Sequence, residues 1–230
     1  QLKKQLFDVK MELNQYNQDA VQSPLPHVKS LTKQFKLKQN ISAMIVMFDG
    51  LAIKKDASNA QLNILDSVLS GMNYPGGRLH KRLRGNQLVY EVHAYQVPLF
   101  GNGYFLIYAV TSQEKMAEVK QIIFEEIQDI KTNGIKQPEF NLAKSQLLFS
   151  TKDRLSSLSG KSMIFATDTL YVDKLYKYQQ ELAEINTLSV TDVKLAATQY
   201  LVNPQIYEFN APAPIAKRSS APSKTSRSKK

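Results

Sequence analysis

The sequence predicts an α+β fold, an antiparallel-rich mixed sheet covered by long helices. Three observations carry that prediction. Residues 87–97 alternate with period two and run through "FGNG" into "YFLIYAV", which reads as a β-hairpin. Residues 116–134 place Met116, Val119, Ile123, Ile127 and Ile130 on one side of a long helix that Gly134 stops. Few strand-like runs are interleaved with several such helices, the pattern of helices laid against a sheet.

The remaining elements follow in chain order. Leu2, Leu6, Val9, Leu13 and Tyr16 recur at steps of three or four and predict a helix, which "SPLP" at 23–26 interrupts as a linker. Residues 1–26 therefore read as a helix and linker from a preceding region, 27–210 as the domain itself, and 211–230 as a tail. "NISAMIVMFDG" (40–50) is a buried strand. "DASNAQLNILDSVLSG" is a helix with Asp56 or Ser58 as cap, Leu62, Leu65 and Leu69 facing inward, and Gly71 as stop. After "YPGG" the basic run "RLHKRLR" predicts a short helix. In the strand that follows, Leu88, Tyr90, Val92 and Ala94 share one face, and Val89, Glu91, His93 and Tyr95 share the other. Thr111 to Glu114 has the spacing of a capping box for the next helix. Pro138 suits the first turn of a helix over 138–157, and a further helical region covers roughly 160–185. Ser189 or Thr191 caps the last helix, Asn203-Pro204 ends it, and "QIYEFNA" closes the domain as a strand.

Composition narrows the function classes. With 230 residues the chain can form one large domain or two small ones. Cysteine is absent, which excludes disulfides, thiolate nucleophiles and Cys-ligated zinc. No apolar run approaches the roughly 18 residues that would suggest a transmembrane segment. No basic-then-apolar leader follows Gln1, and the chain opens inside a helical pattern, so the sequence reads as one part of a longer precursor. The net charge is +10, but residues 211–230 hold six Lys/Arg and no acid, which leaves +4 for the rest. That Pro/Ser/Lys-rich tail cannot build a core and is expected to be disordered, a solubilising segment whose contacts with polyanions would be salt-sensitive and nonspecific.

Catalytic patterns are scarce in the sequence. His27, His80 and His93 are too scattered for a self-contained zinc site, and none lies in H-E-x-x-H or H-x-x-E-H. His93 reads as an ordinary strand histidine. There is no G-x-S-x-G elbow, Walker loop or dinucleotide fingerprint. Glu125 and Glu126 fall on the polar side of an amphipathic helix and read as a solvated face. This segment is therefore expected to hold no catalytic residue and no metal ligand of its own.

The basic stretch "RLHKRLRGNQLVYEV" (78–92) remains. Arg84 reads either as a solvated helix end or as a substrate contact, and Tyr90 either as a core aromatic or as Arg84's partner in that contact. Arg78, Lys81 and Arg82 lie on other faces of the short helix and are expected at the surface. A nucleic-acid patch is not expected, because the aromatics alternate into a sheet instead of interleaving with the basic residues.

The order of "LDSVLSG", "GGRLHKRLR", a tyrosine-bearing strand, "YFLIYAV", "TSQEKMAEVKQIIFEEIQDIKTNGI", "PEFNLAKSQLL" and "LSVTDVKLAATQYLVNP" resembles the C-terminal half of the pitrilysin/insulinase (inverzincin) metallopeptidases, over about 170 residues of the chain. The resemblance implies two homologous halves that close around an unfolded peptide. It also implies that the N-terminal half, on the same chain or a separate subunit, carries H-x-x-E-H and its zinc. The half without zinc contributes an arginine and a tyrosine from an "LR…Y" motif. Here "LRGNQLVY" supplies Arg84 and Tyr90 as substrate-binding residues, one residue closer together than in many members, although a compact "RG…LxY" form also belongs to the family. Such a pair suits amide hydrolysis, because a guanidinium grips a carbonyl or carboxylate through a rigid fork of donors, and donors aimed at developing oxyanion charge lower the barrier. The resemblance thus implies the substrate-binding half of a zinc-dependent endopeptidase. The alternative is a catalytically inactive structural or assembly subunit of the same family.

Overall fold

The computed structural model describes residues 29–52, 59–71, 76–99, 103–169 and 177–212. The helix and linker expected at 1–26, the caps expected at Asp56 and Ser58, and all but the first two residues of the tail at 211–230 lie outside these residues.

Five strands form one mixed sheet in the order β1-β5-β2-β4-β3. They are β1 (Leu31–Lys36), β2 (Ser42–Gly50), β3 (Glu91–Pro98), β4 (Gly103–Thr111) and β5 (Gln205–Asn210). The hairpin is present, with β3 antiparallel to β4 from Glu91 opposite Val110 to Pro98 opposite Gly103. β4 and β5 also run antiparallel to β2, and the parallel pair is β1 with β5. Strand β1 carries no sequence signal of its own. Five of its six residues are exposed, and its backbone is satisfied by an edge pairing with a strand from the far end of the chain.

The helices are α1 (Ala60–Ser70), α2 (Gly77–Leu79), which continues as a π-helical turn over His80–Arg84, then α3 (Met116–Asn133), α4 (Gln137–Ser156), α5 (Leu158–Thr167), α6 (Lys177–Thr187) and α7 (Val190–Tyr200). Helix α3 buries the predicted stripe of Met116, Val119, Ile123, Ile127 and Ile130. Pro138 occupies the first turn of α4, and Ser189 caps α7 through a reciprocal box with Asp192. The predicted region over 160–185 begins as α5, which a break at Ser157 separates from α4.

Two expectations are corrected. Thr111 does not cap α3. It is the last residue of β4, and its buried hydroxyl donates to the Leu88 carbonyl at 2.5 Å. A 3-10 turn, Gln113–Lys115, then leads into α3. The strand face expected from Leu88 to Ala94 also breaks. Val92 and Ala94 are buried, but Tyr90 precedes β3 and is exposed, while its neighbour Val89 is buried.

The core joins the helices to one face of the sheet. Met44, Val46 and Phe48 of β2 and Phe105 and Ile107 of β4 meet Leu62, Leu65 and Leu69 of α1 and the α3 stripe. At about 25 cal/mol per Å² of apolar surface removed from water, this contact dominates the fold's stability. Helix α1 touches β3, α4 and α7 and is buried almost all round, including Asp66 and Ser70. The opposite face carries half-buried Ile45, Met47, Leu106, Tyr108 and Tyr207. None of the described helices is long and apolar enough to cross a membrane.

Gly77 fixes how α2 leaves α1. Its φ is +76°, and a Cβ there would lie 2.6 Å from the Leu69 carbonyl oxygen. Only glycine accepts both the left-handed backbone and that approach. Gly77→Ala is expected to lower stability by about 1–3 kcal/mol, read as a reduced urea midpoint at unchanged slope.

Asp66 gives a pH signature. Burial pushes its carboxyl up to about 7, against the opposing effect of the 2.8 Å bond donated by Ser70 Oγ. The unfolded carboxyl titrates near 3.8. Between these values the folded chain holds the extra proton, so Asp66 lowers stability as pH rises, by up to about 1.4 kcal/mol per pH unit. Wild-type and Asp66→Asn urea titrations from about pH 4 to about pH 8 should diverge with that slope, the variant becoming relatively more stable at the alkaline end.

Candidate functional site

Arg84 ends the π-helical turn that begins at His80. The turn closes through Gly85 N–H to the His80 carbonyl at 3.0 Å, and Leu88 N–H reaches the Leu83 carbonyl at 2.8 Å. Leu79 and Leu83 are fully buried, so the segment lies on the core by its apolar side while Arg84 and Lys81 stay exposed. Among the described residues the Arg84 guanidinium has no hydrogen-bond or ion-pair partner.

The chain from Arg84 to Tyr90 is pinned at several points. Gln87 takes φ +57° and returns its N–H to the Arg84 carbonyl at 3.0 Å. Lys115 Nζ donates to the Gln87 carbonyl at 2.7 Å, Thr111 to that of Leu88, and Tyr90 N–H to the Val110 carbonyl at 2.8 Å. Tyr90 is 66% exposed, which overturns its reading as a core aromatic. The two candidate residues therefore stand exposed at the two ends of one rigidly held turn.

Behind the turn lies an aromatic cluster. The His80 ring is buried and meets His93 edge-on with centroids 5.3 Å apart. His93 stacks on Tyr95 at 5.8 Å and tilts against Tyr108 at 5.7 Å. Both His80 ring nitrogens are buried with no hydrogen-bond partner. Burial first, then the electrostatic effect of neighbouring His93 and Arg84, pushes the His80 imidazole down. Burial first, then hydrogen bonds with Glu91 and Tyr95, raise the Tyr108 phenol. His93 therefore belongs to an aromatic contact with the π-turn, beyond an ordinary place in the strand.

Arg78 is not the surface charge the sequence suggested, and Arg82, though 41% exposed as expected of a surface residue, is ion-paired. Arg78, with a side chain only 14% exposed, forks onto Glu139 of α4 at 2.7 and 2.8 Å. It also pairs with Asp129 at 2.6 Å and Glu126 at 3.4 Å on α3. Hydrogen bonding to Glu139 is the main reason its guanidinium is held still more firmly charged than usual. Arg82 bridges Glu125 at 2.6 Å and Glu126 at 3.0 Å. Glu126 is accordingly buried between two guanidinium groups, and its reading as a solvated residue is corrected. A signal for this clasp was present in the spacing. Arg78 and Arg82 are four apart on one helix, and Glu125, Glu126 and Asp129 form a matching acidic side on another. A surface groove of about 710 Å³ runs over these pairs, and Arg84 and Tyr90 lie outside its lining.

Zinc does not fit the residues described. Among them no three His, Asp or Glu side chains gather in an arrangement that could hold a metal ion. His80 and His93 approach ring edge to ring face, and Glu91 lies 3.7 Å from His93 Nε2 and is hydrogen-bonded to Tyr108.

Residues 2–147 match the family described as peptidase M16 inactive domain. The chain is 24% identical over 181 residues to the uncharacterized zinc protease YmxG of Bacillus subtilis (strain 168), covering 78% of this chain and 43% of that protein. It therefore spans less than half the length of that relative. The fold matches the crystal structure of a peptidase M16 inactive domain from Pseudomonas fluorescens with a TM-score of 0.70, at 20% identity over 80% of this chain and 44% of that one. It also matches a chain of complex III2 from Candida albicans with a TM-score of 0.66, at 13% identity over 79% of this chain and 46% of that one. With well over half of its length matched by the family and the same α+β architecture, the chain belongs to the peptidase M16 inactive-domain family.

Proposed function

We propose that this domain is the substrate-binding half of a zinc-dependent endopeptidase acting on peptides or unfolded segments. A homologous half, in the same chain or a separate subunit, holds the zinc, and this segment does not. The observation that carries the reading is the state of Arg84 and Tyr90. By sequence resemblance they match the family's arginine–tyrosine motif, and in support of that reading both are exposed and the turn between them is fixed by backbone and side-chain hydrogen bonds.

A guanidinium without an internal partner is available to grip a peptide carbonyl or carboxylate through two parallel donors. A phenol at the start of a paired strand donates one further bond from a fixed direction, which suits a site that must be preorganised. The segment has no activity alone, because its contribution is to bind and orient a chain that the other half cleaves. Both donors reach the substrate only when the two halves close upon it, which also excludes water from the contact.

In the assembled protein, Arg84→Ala is expected to lower kcat/KM for a quenched fluorescent peptide about 100-fold, the range for a lost oxyanion donor. Tyr90→Phe should lower it less, and neither should move the thermal midpoint appreciably, since both side chains are exposed. Unchanged turnover in both variants would refute the assignment and favour the structural-subunit alternative. The segment purified by itself should retain no stoichiometric zinc by elemental analysis. Chelator treatment should abolish turnover of the assembly while leaving the segment's unfolding curve unchanged.

A further inference from the structure

We propose that Arg78 and Arg82, acting through Glu126 and Glu139, are positioning residues that set where Arg84 is presented to the substrate. The inference rests on the reading of Arg84 as a substrate contact and goes beyond it by assigning a role to two arginines that touch no substrate.

Helix α2 has three residues and its π-helical continuation five. A segment that short cannot hold its own geometry, because helix nucleation outweighs what so few hydrogen bonds return. Its position must come from tertiary contacts, and those on the Arg84 side are sparse, since that side is exposed. The apolar contact through Leu79 and Leu83 sets depth against the core, but a hydrophobic contact is not directional.

Direction comes from the guanidinium forks. Arg78 ties the start of the segment to the first turn of α4 through a bidentate pair with Glu139, and to α3 through Asp129. One turn later Arg82 ties the segment to Glu125 and Glu126. Glu126 accepts from both arginines, so a single carboxylate couples the two turns. Planar forks fix angle as well as distance, which lysine at either position cannot reproduce. Arg84 follows Arg82 by two residues, so a small rotation of the segment about its axis displaces the Arg84 guanidinium by more than it displaces the backbone. Misplacement of a reacting contact by about 1 Å can cost on the order of 100-fold in rate.

The test is a double-mutant cycle on the assembled protein with a quenched fluorescent peptide. Glu126→Gln and Arg82→Lys keep size and remove the charged or forked contact. Each is expected to lower kcat about tenfold with a smaller change in KM, a fraction of the loss that a fully misplaced contact produces. In the Arg84→Ala background the same substitutions should change turnover less than about twofold, because the guanidinium whose placement they set is gone. The shift in thermal midpoint should be equal in both backgrounds. Turnover losses that are fully additive with Arg84→Ala would show that the clasp acts independently of Arg84, and would overturn the inference. If Arg84→Ala itself leaves turnover unchanged, the substrate-contact reading fails first. Should Glu126→Gln fail to fold, Arg82→Lys, on a side chain 41% exposed, carries the same cycle.

Discussion

The guanidinium of Arg78 is the constraint on which the rest of the candidate site depends. It is mostly withdrawn from solvent, and it meets three carboxylates on two helices. Charges that are partly buried must be paired, because an unpaired one loses its hydration without return. Removing all three would leave it unpaired and is therefore costly, whereas an exposed pair of the same geometry would contribute little. The short segment that bears Arg84 inherits its orientation from this cluster at one end. From the other end it is held by Thr111 and Lys115, which bind the carbonyls of Leu88 and Gln87.

The sheet sets the frame for that arrangement. The described helices meet the core on one face, through Met44, Val46, Phe48, Phe105 and Ile107, and leave the other face with half-buried aliphatic and tyrosine side chains. Strand β3 is an edge strand, and the π-helical turn packs beside it. The ring contacts from His80 through His93 to Tyr95 and Tyr108 join the turn to the strand in place of further backbone pairing. A π-turn is an uncommon feature that recurs at functional positions. Here it lets His80 and Leu83 face inward while Arg84 faces out.

Much of this fold is legible residue by residue, and the exceptions share one cause. The helix at 116–133 and the hairpin strand at 103–111 announce themselves because each has one face buried and the other not, so burial period and backbone period coincide. Strand β1 is silent because it is an exposed edge held by pairing with residues 205–210. The TSQE pattern misleads because Thr111 is used by the sheet before it could be used by the helix. Tyr90 breaks its own alternation because the chain enters β3 through the positive-φ turn at Gln87. Arg84 and Tyr90 could be named from their motif. That Arg78 would be withdrawn from solvent among carboxylates of two other helices could not.

By itself the sequence determined the class of the fold, the stop at Gly71, the start of the last helix at Ser189 or Thr191, the amphipathic stripe of α3 and the motif that singles out Arg84 and Tyr90. These depend on neighbours within a turn or a strand. Only the tertiary structure decided that Arg78 and Arg82 are consumed by ion pairs while Lys81 and Arg84 stay exposed without one among the described residues. That outcome rests on carboxylates 48 and 61 positions away in the chain, and electrostatic pairing at 3 Å is settled by where the backbone brings them.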